Sequence, residues 1–128
     1  MSRDLHKRQA IENYIKAYNA FDVAGMVQGF DANVVFENIS EGEVNLKTEG
    51  IAAFKQQAEQ AKLYFKEREQ QVDSITIIGE TVEASINYRG VLAVDFPNGM
   101  KAGDVLQLQG KSIFYFEAGK IVKLQDIS

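Results

Sequence analysis

The sequence predicts a single α+β domain spanning residues 1–128, in which three N-terminal helices pack on a strongly curved, mixed or antiparallel sheet that encloses a pocket like a cone. Three observations predict it. Helical periodicity is confined to the first half of the chain, strand alternation broken by tight turns fills the second half, and no helical segment separates the later strands. The last of these excludes a βαβ architecture. A length of 128 residues supports one core and is too short for two ordinary domains.

Over residues 5–21 the apolar positions Ile11, Tyr14, Ile15 and Tyr18 recur at i, i+3, i+4 and i+7, which stacks them on one face of a first helix. Asp22 is a good N-cap for a second helix carrying Val23, Met26 and Val27, kept short by Gly25 and Gly29. Residues 33–39 then alternate as a strand, with Val34, Phe36 and Asn38 on one face and Val35, Glu37 and Ile39 on the other. Glu41-Gly42 turns the chain into a short extended piece at Val44 and Leu46. Thr48-Glu49-Gly50 opens a third helix with Ile51, Phe54, Ala58, Ala61 and Phe65 on its buried stripe.

Beyond Lys66 the chain reads as sheet, carried by Ile75 and Ile77 and then by Val82, Ala84, Ile86 and Tyr88. Gly79-Glu80 suits a type II′ hairpin, and Pro97-Asn98-Gly99 begins a longer connection. With that second hairpin centred near Met100, Leu92 faces Leu108, Gly90 faces Gly110, Tyr88 faces Ser112, Ile86 faces Phe114 and Ala84 faces Phe116. The apolar partners then share one face, and the opposed glycines mark a sharp bend or a close contact. A last hairpin around Ala118-Gly119-Lys120 sets Phe116 against Val122, Phe114 against Leu124 and Ser112 against Asp126. The expected inner face therefore holds a polar row of Tyr88, Ser112 and Asp126.

Composition narrows the function. Hydrophobic residues at 45% and charged residues at 25% describe a chain folded throughout. A net charge of −4 with scattered Lys and Arg gives no footprint for nucleic acid. The absence of cysteine excludes disulfides, thiolate metal sites and cysteine nucleophiles. No apolar run approaches the roughly 20 residues that span a bilayer, and the start lacks the apolar stretch of a signal peptide, so a soluble, cytoplasmic protein without membrane partners is expected. The one histidine, His6, precedes the settled part of the first helix and is expected to be exposed, without a metal or triad role. Glu67, Glu69 and Asp73 alternating with Lys66 and Arg68 read as an exposed, charge-paired strand face. Arg89 reads either as an anion contact at a pocket mouth or as a surface ion pair. No phosphate loop, nucleophile elbow or zinc-helix motif occurs, and no cofactor or metal is indicated.

The run Tyr14-Ile15-Lys16-Ala17-Tyr18-Asn19-Ala20-Phe21-Asp22, the strand from Val34 to Asn38, Glu49-Gly50 before the third helix, and the closing Phe116-Glu117-Ala118-Gly119-Lys120-Ile121-Val122 together resemble the nuclear transport factor 2-like superfamily. That group has a cystatin-like α+β barrel and includes ketosteroid isomerases, SnoaL-like polyketide cyclases and scytalone dehydratases. The resemblance implies a homodimer through the outer sheet face, here Val105, Gln107, Gln109, Ile113 and Tyr115. In the steroid isomerases a helix tyrosine and a protonated aspartic acid donate to an oxyanion while a second aspartate moves the proton. Tyr14 matches the tyrosine, but Asn38 stands at the proton-shuttling aspartate and Ser112 at the acidic donor, so steroid isomerisation is not expected. SnoaL-like cyclases resemble this chain in using an aspartate near the end of the last strand.

The candidate catalytic set is accordingly Asp126 as acid/base with Tyr14 and Asn38 as hydrogen-bond donors, and the candidate pocket residues are Tyr18, Phe36, Phe54, Tyr88, Ser112, Phe114 and Leu124. Asp126 has two readings, a desolvated carboxyl on an apolar face or a solvated strand end; Tyr14 and Tyr18 line a pocket or merely pack. The expected function is a pocket protein for a small apolar or aromatic ligand, either a cofactor-free isomerase, cyclase or dehydratase or a non-catalytic binding module. A dimeric protein-interaction domain is the remaining alternative.

Overall fold

The computed structural model describes residues 2–128; Met1 lies outside them. Its elements are α1 (Ser2–Asn19), α2 (Val23–Met26), β1 (Phe30–Ser40), β2 (Glu43–Glu49), α3 (Ile51–Ala61), β3 (Phe65–Ile78), β4 (Thr81–Leu92), β5 (Val105–Glu117) and β6 (Lys120–Ile127). The strands form one six-stranded sheet in the order β2-β1-β6-β5-β4-β3, with β1 and β6 parallel and every other neighbouring pair antiparallel. β2 and β3 are edges that do not pair with each other, so the sheet curves without closing into a barrel.

The helices form where their apolar stripes can be buried. Ile11, Tyr14 and Ile15 place α1 against the sheet, and Asp22 caps α2 by accepting a 3.0 Å hydrogen bond from Gly25 N. A single turn of 3₁₀ helix over Lys62–Tyr64 ends α3, and Phe65, expected on the helix, instead begins β3. Between helices and sheet lies an aromatic layer. The Tyr14 ring stacks on Phe30 at 5.7 Å and meets Phe114 edge-on at 5.8 Å, while Phe54 meets Phe30 and Phe36 edge-on at 4.9 and 5.5 Å. Burying each such side chain is worth roughly 2–3 kcal/mol relative to exposing it. Lys7, unexpectedly buried in α1, reaches Glu80 in the β3–β4 turn at 3.2 Å and ties the helix to that hairpin.

The β3–β4 turn has two residues, with Gly79 at φ 60°, as a type II′ turn requires. The β4–β5 register differs from expectation by four residues: Ala84, not Tyr88, faces Ser112, and Tyr88 faces Leu108. The cause is the connection. A β-turn over Phe96-Pro97-Asn98-Gly99 closes with Gly99 N donating to Phe96 O, and Phe96 N reaches Met100 O at 2.7 Å, so the hairpin centres on Asn98 rather than Met100. Moving a hairpin centre by two residues moves the register by four, an even number, and the inner face is preserved.

Gly90 and Gly110 are therefore not opposed, but each admits a close contact. A Cβ at Gly90 would sit 2.8 Å from the Phe65 ring, and one at Gly110 would overlap the Ile127 carbonyl oxygen. In the last hairpin Ser112↔Asp126 and Phe114↔Leu124 pair as expected, but an irregularity after Tyr115 sets Phe116 against Ile121 rather than Val122. The turn there is Ala118-Gly119 alone, both with positive φ.

Candidate functional site

Inside the curve of the sheet lies a cavity of about 390 Å³, within the range of small-molecule sites. α1 contributes Tyr14 and Tyr18, β1 contributes Phe36 and Asn38, and α3 contributes Phe54. Of the residues expected from β4, β5 and β6, Tyr88, Ser112 and Asp126 line it as well. Phe114 and Leu124 are elsewhere. Both are fully buried in the core and do not line the cavity, because Tyr14 packs edge-on against Phe114 and covers it.

The polar row on the sheet is not the one expected. Strand pairing aligns Asn38 of β1 with Asp126 of β6, and Asp126 with Ser112 of β5, so three polar side chains stand side by side across three strands. Tyr88, displaced by the register difference, lies farther along β4 and accepts a 3.1 Å hydrogen bond from the Tyr18 hydroxyl.

The Ser112 hydroxyl donates to Asp126 Oδ1 at 2.7 Å. Asp126 is partly accessible, through the pocket, yet its carboxyl is set among protein atoms; desolvation pushes its pKa up to about 6, against the smaller downward pull of the Ser112 hydrogen bond. Of the two readings of this residue, the structure has the desolvated one. Tyr14 is also buried, and desolvation followed by the nearby Asp126 charge raises its hydroxyl pKa, against a lowering by Arg68. Its hydroxyl makes no hydrogen bond to the described residues and lies in the cavity wall. The Asn38 amide donates to Asn45 Oδ1 at 2.9 Å, which leaves its second N–H for the cavity. Burial raises the Tyr18 hydroxyl strongly and the Tyr88 hydroxyl less, so all three pocket tyrosines are neutral donors at physiological pH.

Sequence reasoning missed Arg68 and Gln70. Both are buried, at 6% and 7% exposure, and both line the cavity, where Arg68 was expected on a solvated face. The reason is a register irregularity between Val72 and Ser74 in β3, which reverses the alternation inferred backward from Ile75 and Ile77 and turns Arg68, Gln70 and Val72 inward. The apolar walls at Leu106 and Leu108 were missed with the register. Arg89 is exposed on β4, opposite Glu69, and does not line the cavity. His6 is exposed, and its Nε2 meets the Gly119 carbonyl at 2.9 Å, which closes the α1 end onto the last hairpin. Among the described residues no group of three or more His, Cys, Asp or Glu side chains is disposed to hold a metal ion, and no helix is long and apolar enough to cross a membrane.

Several solved structures share this fold. A protein provisionally assigned as a SnoaL-like polyketide cyclase from Jannaschia sp. CCS1 superposes with a TM-score of 0.81 at 13% identity, covering 95% of this chain and 84% of its own. A cystatin-fold protein from Novosphingobium aromaticivorans gives 0.77 at 18% identity over 94% and 96% of the two chains. TerC, co-crystallised with polyporic acid, gives 0.77 at 15% identity over 95% and 90%. A search of curated protein sequences found no match. The sequence model of the SnoaL-like domain matches residues 11–124, nearly the whole of the sheet and its covering helices, and the chain belongs to the SnoaL-like domain family.

Proposed function

We propose that the protein binds a small apolar or aromatic ligand in this cavity and acts on it by cofactor-free proton transfer, as an isomerase, cyclase or dehydratase. The observation that carries the reading is the Asp126 carboxyl, raised to about 6 within a largely apolar cavity and oriented by Ser112. A general base is most useful when its pKa lies near the working pH. With a ligand whose acidic C–H lies beside a carbonyl, the ionised Asp126 takes the proton. The Tyr14 hydroxyl and the free N–H of Asn38 donate to the oxygen that becomes negative, and Asp126 returns the proton at the new position. Asn38 serves this as a donor, since an amide has no basic pKa to share the proton transfer. TerC, a structure of the same fold co-crystallised with polyporic acid, supports a small-molecule occupant.

The test is deuterium wash-in at the α-carbon of 2-tetralone in D₂O, followed by NMR. The wild type is expected to accelerate exchange, and Asp126→Asn to remove about 100-fold or more of the acceleration. Equal exchange by both proteins removes Asp126 from the chemistry; binding of the ketone without exchange makes the protein a non-catalytic binding module.

The outer sheet face supports a second proposal, a homodimer. Val105 is exposed there, and Ile113 and Tyr115 are only partly covered. The Tyr115 hydroxyl donates to Gln125, whose amide donates to Glu37, so the face is ordered rather than loosely solvated. Sedimentation is expected to find a dimer that Ile113→Lys dissociates with the cavity intact; a monomeric wild type overturns it.

A further inference from the structure

Arg68 is a buried cation that the protein itself does not neutralise. Its guanidinium lies 3.7 Å from the centre of the Tyr18 ring and 4.5 Å from that of Phe21, and its Nε donates to the Tyr18 carbonyl at 3.1 Å. Among the described residues no carboxylate is within ion-pairing distance of it. Its Nη2 is enclosed without a hydrogen-bond partner, and so is the Oε1 of Gln70, two residues along the same strand face. Buried polar groups are nearly always partnered, and buried charges are paired. Two orphans on adjacent side chains in one cavity wall point to a missing partner. The aromatic rings hold the guanidinium in place but cannot cancel its charge.

The chemistry of that partner follows from which atoms remain free. With its guanidinium lying over the rings of Tyr18 and Phe21 and its Nε bound to a carbonyl, Arg68 has only its Nη donors left, the arrangement that suits an in-plane carboxylate. The Gln70 amide, whose oxygen and nitrogen can exchange places by a flip, can donate to the same group. Arg68 on β3 and Asp126 on β6 are three strand spacings apart, roughly 14 Å across the strands. Arg68 is level with Leu106 of β5 while Asp126 faces Ser112, an offset of roughly 20 Å along the strands, so the two stand at opposite ends of the cavity wall. Tyr18 and Tyr88 line the wall on the Arg68 side, and Gln70 faces Tyr88 directly.

We propose that the ligand of this cavity is a carboxylic acid with an aromatic or polycyclic body, its carboxylate held by Arg68 and Gln70 and its reacting end directed toward Asp126. The proposal rests on the pocket reading above and adds to it the anionic end of the ligand.

The test uses N-phenyl-1-naphthylamine, a neutral fluorescent probe, as reporter of the cavity, and displaces it with 2-naphthoate or with the neutral isostere 2-naphthamide at pH 7.5. The expected result is that 2-naphthoate competes at least about tenfold better, the range of a charge-assisted hydrogen bond. Arg68→Met is expected to bring the ratio to about one while 2-naphthamide still competes. Equal competition by the two compounds in the wild type overturns the carboxylate assignment and leaves the pocket reading standing. A preference that survives in Arg68→Met places the anion on another group and overturns the role of Arg68. No binding of reporter or competitors overturns both readings. If circular dichroism finds Arg68→Met unfolded, Arg68→Gln gives the same comparison, and the wild-type ratio decides the carboxylate by itself.

Discussion

Ser112 and Asp126 face each other directly across β5 and β6, and the serine hydroxyl donates to Asp126 Oδ1 at 2.7 Å. The bond favours the ionised carboxyl and so holds down a pKa that burial raises. Ser112→Ala should therefore raise Asp126 further, by roughly half to one unit, for a hydrogen bond worth about 1 kcal/mol. NMR titration of the Asp126 side-chain carbon measures it. An unchanged or lowered value would remove Ser112 as the orienting group.

Asp126 should also set part of the pH dependence of stability. Its pKa rises from 3.8 to about 6 on folding, so the folded chain holds this proton more tightly than the unfolded chain. The associated stability is present below pH 3.8 and is lost as pH rises through 6, leaving a penalty of roughly 3 kcal/mol above it. Asp126→Asn keeps an acceptor for Ser112 and removes the ionisation. Urea unfolding should find the variant about 1–3 kcal/mol more stable than wild type at pH 8 and nearly equal to it at pH 4. A stability difference that is the same at both pH values contradicts the desolvation argument.

Gly110 is a steric requirement, since its missing side chain leaves room for the Ile127 carbonyl on the strand that carries Asp126. Gly110→Ala must displace backbone, at a cost of about 1–3 kcal/mol. Gly29, whose added Cβ would meet only the Ala10 methyl at 4.0 Å, is the control, and Gly29→Ala should stay within about 0.5 kcal/mol of wild type in the same urea series. Similar losses at both positions would mean the contact at Ile127 is not what limits Gly110.

Ala118 opens the β5–β6 turn at φ 51°, a left-handed conformation that costs an alanine roughly 1 kcal/mol. Ala118→Asn creates the Asn-Gly pair that two-residue turns of this kind favour. A gain of about 0.5–1 kcal/mol in thermal or urea unfolding is expected, and a loss would show that the Ala118 methyl makes a contact worth more than the strain.

How much of the site was legible in the sequence varies residue by residue. The facing of Ser112 and Asp126 could be read because both flank one short hairpin, and the inward direction of Phe36, Asn38 and Tyr14 because each follows a local period. Arg68 could not be read. Its neighbours Lys66, Glu67 and Glu69 suggest a solvated strand, and the irregularity between Val72 and Ser74 leaves no mark in residue types. Burial of the even positions Arg68 and Gln70 could have been inferred only from their pairing with Gly90 and Tyr88 across β4.

Within the unbroken strands β4 and β5, what the sequence by itself determined was which side chains share a face, because successive side chains point to opposite sides wherever no bulge interrupts the strand, as one does in β3. That is why the inner face survived a register difference of four residues in β4 and β5. Tertiary structure alone decided which positions along those faces meet. The turn at Asn98 set the register, and the parallel pairing of β1 with β6 brought Asn38 beside Asp126 from opposite ends of the chain. Such pairings rest on loop closure and shared packing between segments far apart in sequence, and no local pattern of residues encodes them.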